Sequence, residues 1–275
     1  MYSVRRFLQK NVDFAPRRRY NGGMRYLRKK FAAFPVYEWL EIGLMLCLAG
    51  GFLDAYTFVT RGGVFANAQT GNMILLAIGL AGGDGLRALR YLVPILFFFA
   101  GVFLSELLLR LGKKTRGDFR GHGFVLAAEI AVLIVVGFLP ADVPDMLVNA
   151  LVSFAAAVQF DNFRRLEGKP FATAFCTGNL RSATEHVFHG VVEKQKGAIR
   201  TAGKYFAVIL AFIGGVAAGY FASRALGGYA ALIAAGVLLL VLAAILCGHA
   251  VRMRRIRVRR LAQGEIPAAQ ALIWE

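Results

Sequence analysis

Charge is sparse in this chain, and negative charge most of all. Of 275 residues only 18% are Asp, Glu, Lys or Arg, while 57% are hydrophobic. A soluble α/β enzyme of this length carries more charge and a disordered chain far more, so both classes are excluded and a polytopic membrane protein remains. Cysteine is rarer still. Cys47, Cys176 and Cys247 stand far apart, in or beside apolar segments. They fit no zinc or CxxC spacing, which excludes a disulfide framework and a cysteine metal centre. No G-x-S-x-G, Walker loop, H-E-x-x-H or dinucleotide fingerprint occurs. The expectation is therefore a protein that is not an enzyme and holds no cofactor. His186 and His189, beside Glu185, lack an assured third ligand and read as a polar interfacial face.

What charge there is falls in a pattern. Lys and Arg number 33 against 16 Asp and Glu, a net +17. That surplus invites a nucleic-acid partner, but it lies almost wholly in the tails and in two loops between apolar runs, the distribution that membrane insertion produces. The predicted partners are the bilayer and, for the basic tails Arg17-Arg18-Arg19, Arg28-Lys29-Lys30 and 252–260, anionic lipid headgroups. Nucleic acid is not among them. Tyr37 and Trp39 suit an interfacial belt.

A hydrocarbon core of ~30 Å needs roughly 20 apolar helical residues. Six segments qualify: residues 40–60, 91–111, 122–139, 145–163, 203–223 and 229–250. The first follows a tail of 38 residues. It comes too late and runs too long for a cleaved signal peptide, and is expected to stay as a span. Two shorter helical segments, 70–81 and 177–192, are predicted to dip into the membrane without crossing. The second carries Arg181, Glu185, His186 and His189, and a charge at the bilayer centre costs at least ~2.5 kcal/mol. With six spans and both termini cytoplasmic, 29 of the 33 basic residues lie inside and only Arg61, Arg87, Arg90 and Arg224 outside. The fold class is thus an all-α polytopic membrane protein, six transmembrane helices plus two re-entrant half-helices. A basic tail (1–38) precedes a single transmembrane domain (39–250), and a second basic tail (251–275) follows it.

The domain contains a duplication, with repeats at about 40–139 and 145–250. Phe52-Leu53-Asp54-Ala55 leads to Thr70-Gly71-Asn72, and Gln159-Phe160-Asp161-Asn162 leads to Thr177-Gly178-Asn179, 16 residues from Asp to Thr both times. Phe65-Ala66-Asn67-Ala68 is echoed by Phe171-Ala172-Thr173-Ala174, and Phe99-Ala100-Gly101-Val102 by Ile213-Gly214-Gly215-Val216. Three crossings per repeat force the second to insert upside down. Inverted repeats with discontinuous helices build their binding sites near the midplane.

Thr70 and Thr177 stand where an N-cap is needed, because a helix beginning inside the membrane has unpaired N–H groups. Gly71 and Gly178 permit close backbone approach, and Asn72 and Asn179 supply amide donors and acceptors. Two such N-termini, facing the midplane from opposite sides, favour an anion or a polar neutral group. The predicted substrate site is therefore Asp54, Asn67, Thr70, Gly71, Asn72, Gln159, Asp161, Asn162, Thr177, Gly178 and Asn179. Asp54 either handles substrate or a proton, or holds the hairpin by accepting its N–H groups. Asp161, beside Arg164 and Arg165, is expected to form an ion pair. Glu129, seven residues into the third span, is a second candidate for carrying a proton, or a partner for a basic residue on another helix. The ladder Gly215, Ala218, Gly219 predicts close packing against another helix of the same chain, with a second copy as the alternative partner in a homo-oligomer.

Gly51-Phe52-Leu53-Asp54-Ala55, Gly63-Val64-Phe65 and Thr70-Gly71-Asn72 together resemble the YoaK-like family of bacterial inner-membrane proteins, a domain-of-unknown-function family. The resemblance covers roughly 41–250, and the second half keeps Gln159 and a Thr-Gly step. It implies a six-span protein of the bacterial inner membrane and supplies no substrate. The expected function is a permease or channel for a small polar or anionic solute; the alternative is a non-transporting scaffold or lipid-binding protein.

Overall fold

The structure, a computed structural model, describes residues 34–111, 119–140, 142–172 and 176–262. The N-terminal basic runs, the charged loop after residue 111, and Thr173 and Ala174 lie outside the described residues. The chain divides into units 1–35 and 36–275, and every described helix belongs to the second.

Eight α-helices occur among the described residues: α1 (Leu40–Thr60), α2 (Gln69–Ala81), α3 (Gly85–Leu111), α4 (Phe119–Phe138), α5 (Asp145–Asn162), α6 (Cys176–Val191), α7 (Ala198–Leu226) and α8 (Ala231–Ala262). A two-residue hairpin, β1 (Arg165–Leu166) and β2 (Lys169–Pro170), precedes α6. Its turn residues Glu167 and Gly168 both have left-handed φ, 47° and 79°, as a tight hairpin turn requires.

Four stretches are long and apolar enough to cross a membrane: Leu40–Thr60, Gly85–Leu108, Gly121–Phe138 and Ala198–Arg254, the last spanning both α7 and α8. The predicted fourth span, now α5, is not among them. Asn149, Ser153, Gln159 and Asp161 lower its hydropathy, and all four are buried. By contrast Leu96, Phe99 and Phe103 on α3, Leu210 and Phe221 on α7, and Leu240 on α8 are exposed. Such a protein hides its polar helix and shows its apolar ones, the reverse of a water-soluble fold. α8 also continues past residue 250 through the basic run as far as Ala262.

Contacts at two ends orient the helices. At one end Arg61, just after α1, pairs with Asp145 at the start of α5 (3.5 Å). At the other, Glu38, just before α1, accepts hydrogen bonds from the N–H groups of Glu167 and Gly168. At this Glu38 end Leu166 and Phe171 pack with Cys47 and Val208, and Lys204 pairs with Glu167. α3 reaches the Glu38 end where Ser105 bonds Asp161, and α8 where Gly248 meets Val36.

The helix pairings come in matched sets. α1 packs along α7 as α5 packs along α3, α2 lies on α3 as α6 lies on α7, α4 touches α5 as α8 touches α1, and α4 meets α8. Glycine makes the two longest contacts possible. A Cβ on Gly219 would lie 2.6 Å from the Phe52 carbonyl oxygen, and one on Gly101 2.6 Å from that of Phe154. Gly215 is pressed against the Leu48 carbonyl in the same way. The small-residue ladder thus serves packing within the chain, as expected.

Candidate functional site

The first hairpin begins and ends at the Arg61 end. Residues 61–68 leave α1 there, and α2 returns to it, with Gly79 against Ala88 near the start of α3. At its inner tip the Asp54 carboxyl accepts the N–H groups of Asn67 (2.6 Å) and Ala68 (3.4 Å) through Oδ1. Asn67 Nδ2 donates to the Gly50 carbonyl at 3.2 Å. Asn72 ties the loop to the helix: its Oδ1 accepts the Phe65 N–H (3.0 Å), while Nδ2 donates to the Phe65 carbonyl (2.7 Å) and to Gln69 Oε1 (2.9 Å).

The expected threonine caps are not formed at this hairpin. α2 begins one residue earlier than Thr70, its N-cap is Ala68, and no side chain caps it. Asp54, a carboxylate from the neighbouring helix, takes the N–H groups of Asn67 and Ala68 just before α2, and Thr70, inside the helix, is left exposed. Gly71 does permit close approach, since a Cβ there would lie 2.7 Å from the Phe65 ring.

The second hairpin belongs to the Glu38 end. Its loop bonds Glu38, and Gly190 meets Ile199 at the start of α7. Asn179 Nδ2 donates to the Ala172 carbonyl at 2.7 Å, seven residues back, as Asn72 does to Phe65. Thr177 and Gly178 are exposed on the first turn of α6, and a Cβ on Gly178 would meet nothing. Cys176, half-buried, is the first residue of α6. Asp161 pairs with Arg164, as the sequence predicts, and accepts from Ser105 Oγ (2.7 Å), which also accepts from Asn162 Nδ2 (3.0 Å). Gln159 is buried on the same helix.

Three cavities border these groups. At the Glu38 end a cavity of about 360 Å³ is lined by Tyr37, His122, Asp161, Asn162, Arg164 and Arg165. His122 is buried, stacked on Tyr37 at 4.0 Å, with Nε2 3.2 Å from the Asn162 carbonyl oxygen. At the Arg61 end a cavity of about 270 Å³ is lined by Arg61, Arg90, Asp145 and Asn149, with Leu86 and Met146. A third, of about 210 Å³ and apolar, lies between Asp54, Phe58, Phe65, Phe212 and Tyr220.

The sequence of residues 42–245 matches the family described as a protein of unknown function, DUF1275. The chain belongs to the DUF1275 family. Among curated proteins it is similar to the UPF0700 transmembrane protein YoaK of Bacillus subtilis (strain 168), 25% identical over 146 residues, which cover 52% of this chain and 64% of that protein. The match thus spans less than two thirds of the relative's length. No solved structure matches the chain. The expected YoaK-like membership is shown, and with it a multi-pass membrane protein.

Of the predicted site residues in this DUF1275 chain, Asp54, Asn67 and Asn72 come together at the first tip, and Asp161 and Asn162 line the Glu38-end cavity. Sequence reasoning missed Ser105, Arg61, Asn149 and Ser153. Three left a signal: Ser105 as a small polar residue inside an apolar run, and Asn149 and Ser153 as two polar residues one helical turn apart. Arg61 stood out only as a charge at the end of the first apolar run.

Proposed function

We propose that this chain is a membrane permease or channel for a small polar or anionic solute. One observation carries the reading. α5, the helix with too little hydropathy to stand alone in lipid, buries Asn149, Ser153, Gln159 and Asp161, and each of its ends opens on a cavity bordered by arginine. Intramembrane polar groups that face the interior of a bundle mark solute pathways, and arginine at both mouths favours negative charge.

The hairpins fit the same reading. Each leaves and rejoins the bundle at one end, and the two belong to opposite ends, so they read as re-entrant half-helices of an inverted repeat with six crossings. Charge asymmetry favours both termini on the cytoplasmic side of a bacterial inner membrane. The solute passes from one arginine-bordered cavity to the other beside the hairpin tips, where Asp54, Asn72 and Asn179 hold the irregular backbone in register.

Proteoliposome uptake over a panel of small carboxylates, inorganic anions and neutral polyols tests this. Wild type is expected to move at least one anion, and Arg165→Glu, an exposed position in the Glu38-end cavity, to slow that anion several-fold while affecting neutral solutes little. No flux above protein-free vesicles for any solute in the panel defeats the proposal.

A further inference from the structure

Glu129 stands midway along α4. It is 2% exposed, and its Oε2 has no hydrogen-bond partner among the described residues. The elements packed on α4 are α5, α8 and the turn Gly227–Ala230. Their ionisable residues are Asp145 and Asp161 at opposite ends of α5, Tyr229 in the turn, and Cys247, His249 and the arginines from Arg252 onward at the far end of α8. None falls within 146–160 of α5 or 231–246 of α8. On α4 itself the nearest titratable residue is His122. At the depth of Glu129 these helices offer no counter-charge, so an ion pair does not account for it, and proton uptake is what neutralises its carboxylate.

The register of α4 against α5 is fixed by the His122 Nε2 to Asn162 carbonyl contact of 3.2 Å at the Glu38 end. The helices are antiparallel, joined by a short turn at the Arg61 end. Seven residues along α4 from His122, and seven back along α5 from Asn162, bring Glu129 level with Ala155, roughly 10 Å from His122 at ~1.5 Å per residue. Ser153 lies about 3 Å farther on along the axis, buried, its Oγ without a partner among the described residues. One turn beyond is Asn149, whose Oδ1 is likewise without a partner and whose Nδ2 donates to the Arg61 carbonyl at 2.8 Å. His122 lines one cavity and Asn149 the other. Buried polar groups therefore form a broken line between the two mouths, with one ionisable group near its middle.

We infer that Glu129 is a proton carrier, loaded from one cavity by way of His122 and unloaded to the other by way of Ser153 and Asn149. The step is a simple transfer. A proton leaves hydronium in the first cavity, binds a Glu129 carboxylate oxygen, and passes to water in the second; no other bond changes and nothing is oxidised. The inference rests on the permease reading and adds to it a proton path along the same helices, which the membrane potential drives whether or not solute moves.

Two readouts test it on the full chain in liposomes. The first is labelling by dicyclohexylcarbodiimide, an apolar reagent for protonated carboxyls, located by peptide mass. Modification of Glu129 should fall steeply as pH rises, and Glu129→Asp should retain it. The second is proton influx into pyranine-loaded vesicles under an inside-negative potassium diffusion potential, where wild type should exceed Glu129→Gln several-fold with Glu129→Asp in between. Either a Glu129 that is unlabelled or labelled independently of pH, or Glu129→Gln vesicles that admit protons as fast as wild type, overturns the inference. Failure of the permease reading looks different: the solute panel stays still while pH-dependent labelling and proton influx remain.

Discussion

Asp54 shows how one side chain can hold an irregular segment inside a bundle. Its Oδ1 takes the N–H groups of Asn67 and Ala68, which have no helical partner at the start of α2. Removing a buried acceptor leaves the donors unsatisfied, at about 1–3 kcal/mol. Asp54→Ala should therefore unfold several degrees lower than wild type in detergent, and Asp54→Asn, which keeps an acceptor oxygen, should lose less. Equal melting of Asp54→Ala and wild type would show that the carboxylate is not what holds the tip. The two asparagines permit a sharper comparison. Asn72 makes three hydrogen bonds that close its loop, whereas Asn179 has one to Ala172 among the described residues. Asn72→Ala is expected to cost more than Asn179→Ala, the first by about 1–3 kcal/mol, and the order of their melting temperatures checks it. The motif was visible in the sequence as a repeated Thr-Gly-Asn. The division of labour was not, because it depends on a carboxylate 13 residues upstream of Asn67 that holds the loop just before α2.

At the scale of elements, helix approach distances separate glycines that look alike in sequence. Gly215 and Gly178 both stand in the second half on helices, yet a side chain at Gly215 would strike the Leu48 carbonyl, and one at Gly178 would meet nothing. Backbone cannot move aside as a side-chain tip can, so Gly215→Val should destabilise by ~1–3 kcal/mol or more. Gly178→Ala should stabilise α6 by up to about 1 kcal/mol, from helix propensity alone. Thermal unfolding of the pair, side by side, decides whether α1 and α7 are in backbone contact. Most elements were legible in the sequence: seven of the eight helices run close to the predicted segments, because lipid-facing apolar runs announce themselves by length. α8, predicted to end near residue 250, is the exception, since an arginine-rich stretch reads as tail whether or not the helix continues through it. α5 was legible as a helix but is not a strong apolar span, for its polar residues are buried against neighbouring helices rather than turned to lipid, and one chain's hydropathy carries no information about neighbours.

For the whole molecule, the deciding property is which face of the bilayer each hairpin uses. α2 has 13 residues and α6 has 16; at ~1.5 Å per residue that is roughly 20 and 24 Å, short of a ~30 Å hydrocarbon core. Length alone would still allow a thinned membrane to be crossed, but the contacts argue otherwise. Gly79 returns to Ala88 at the end where Arg61 left α1, and Gly190 returns to Ile199 at the end where Glu167 bonds Glu38. Single cysteines at Gly63 and Asp84 flank the first hairpin, and single cysteines at Lys169 and Lys196 flank the second, in a chain whose Cys47, Cys176 and Cys247 are replaced by alanine. With an impermeant maleimide on intact cells and on inverted vesicles, the first pair should react from one side and the second pair from the other. The matched helix pairings are what the proposed inverted repeat expects, since α1 on α7 and α5 on α3 would then be one relation viewed from opposite leaflets. If Gly63→Cys and Asp84→Cys react from different sides, α2 crosses, the parity of every later helix reverses, and the two arginine-bordered cavities no longer open on opposite faces of one pathway.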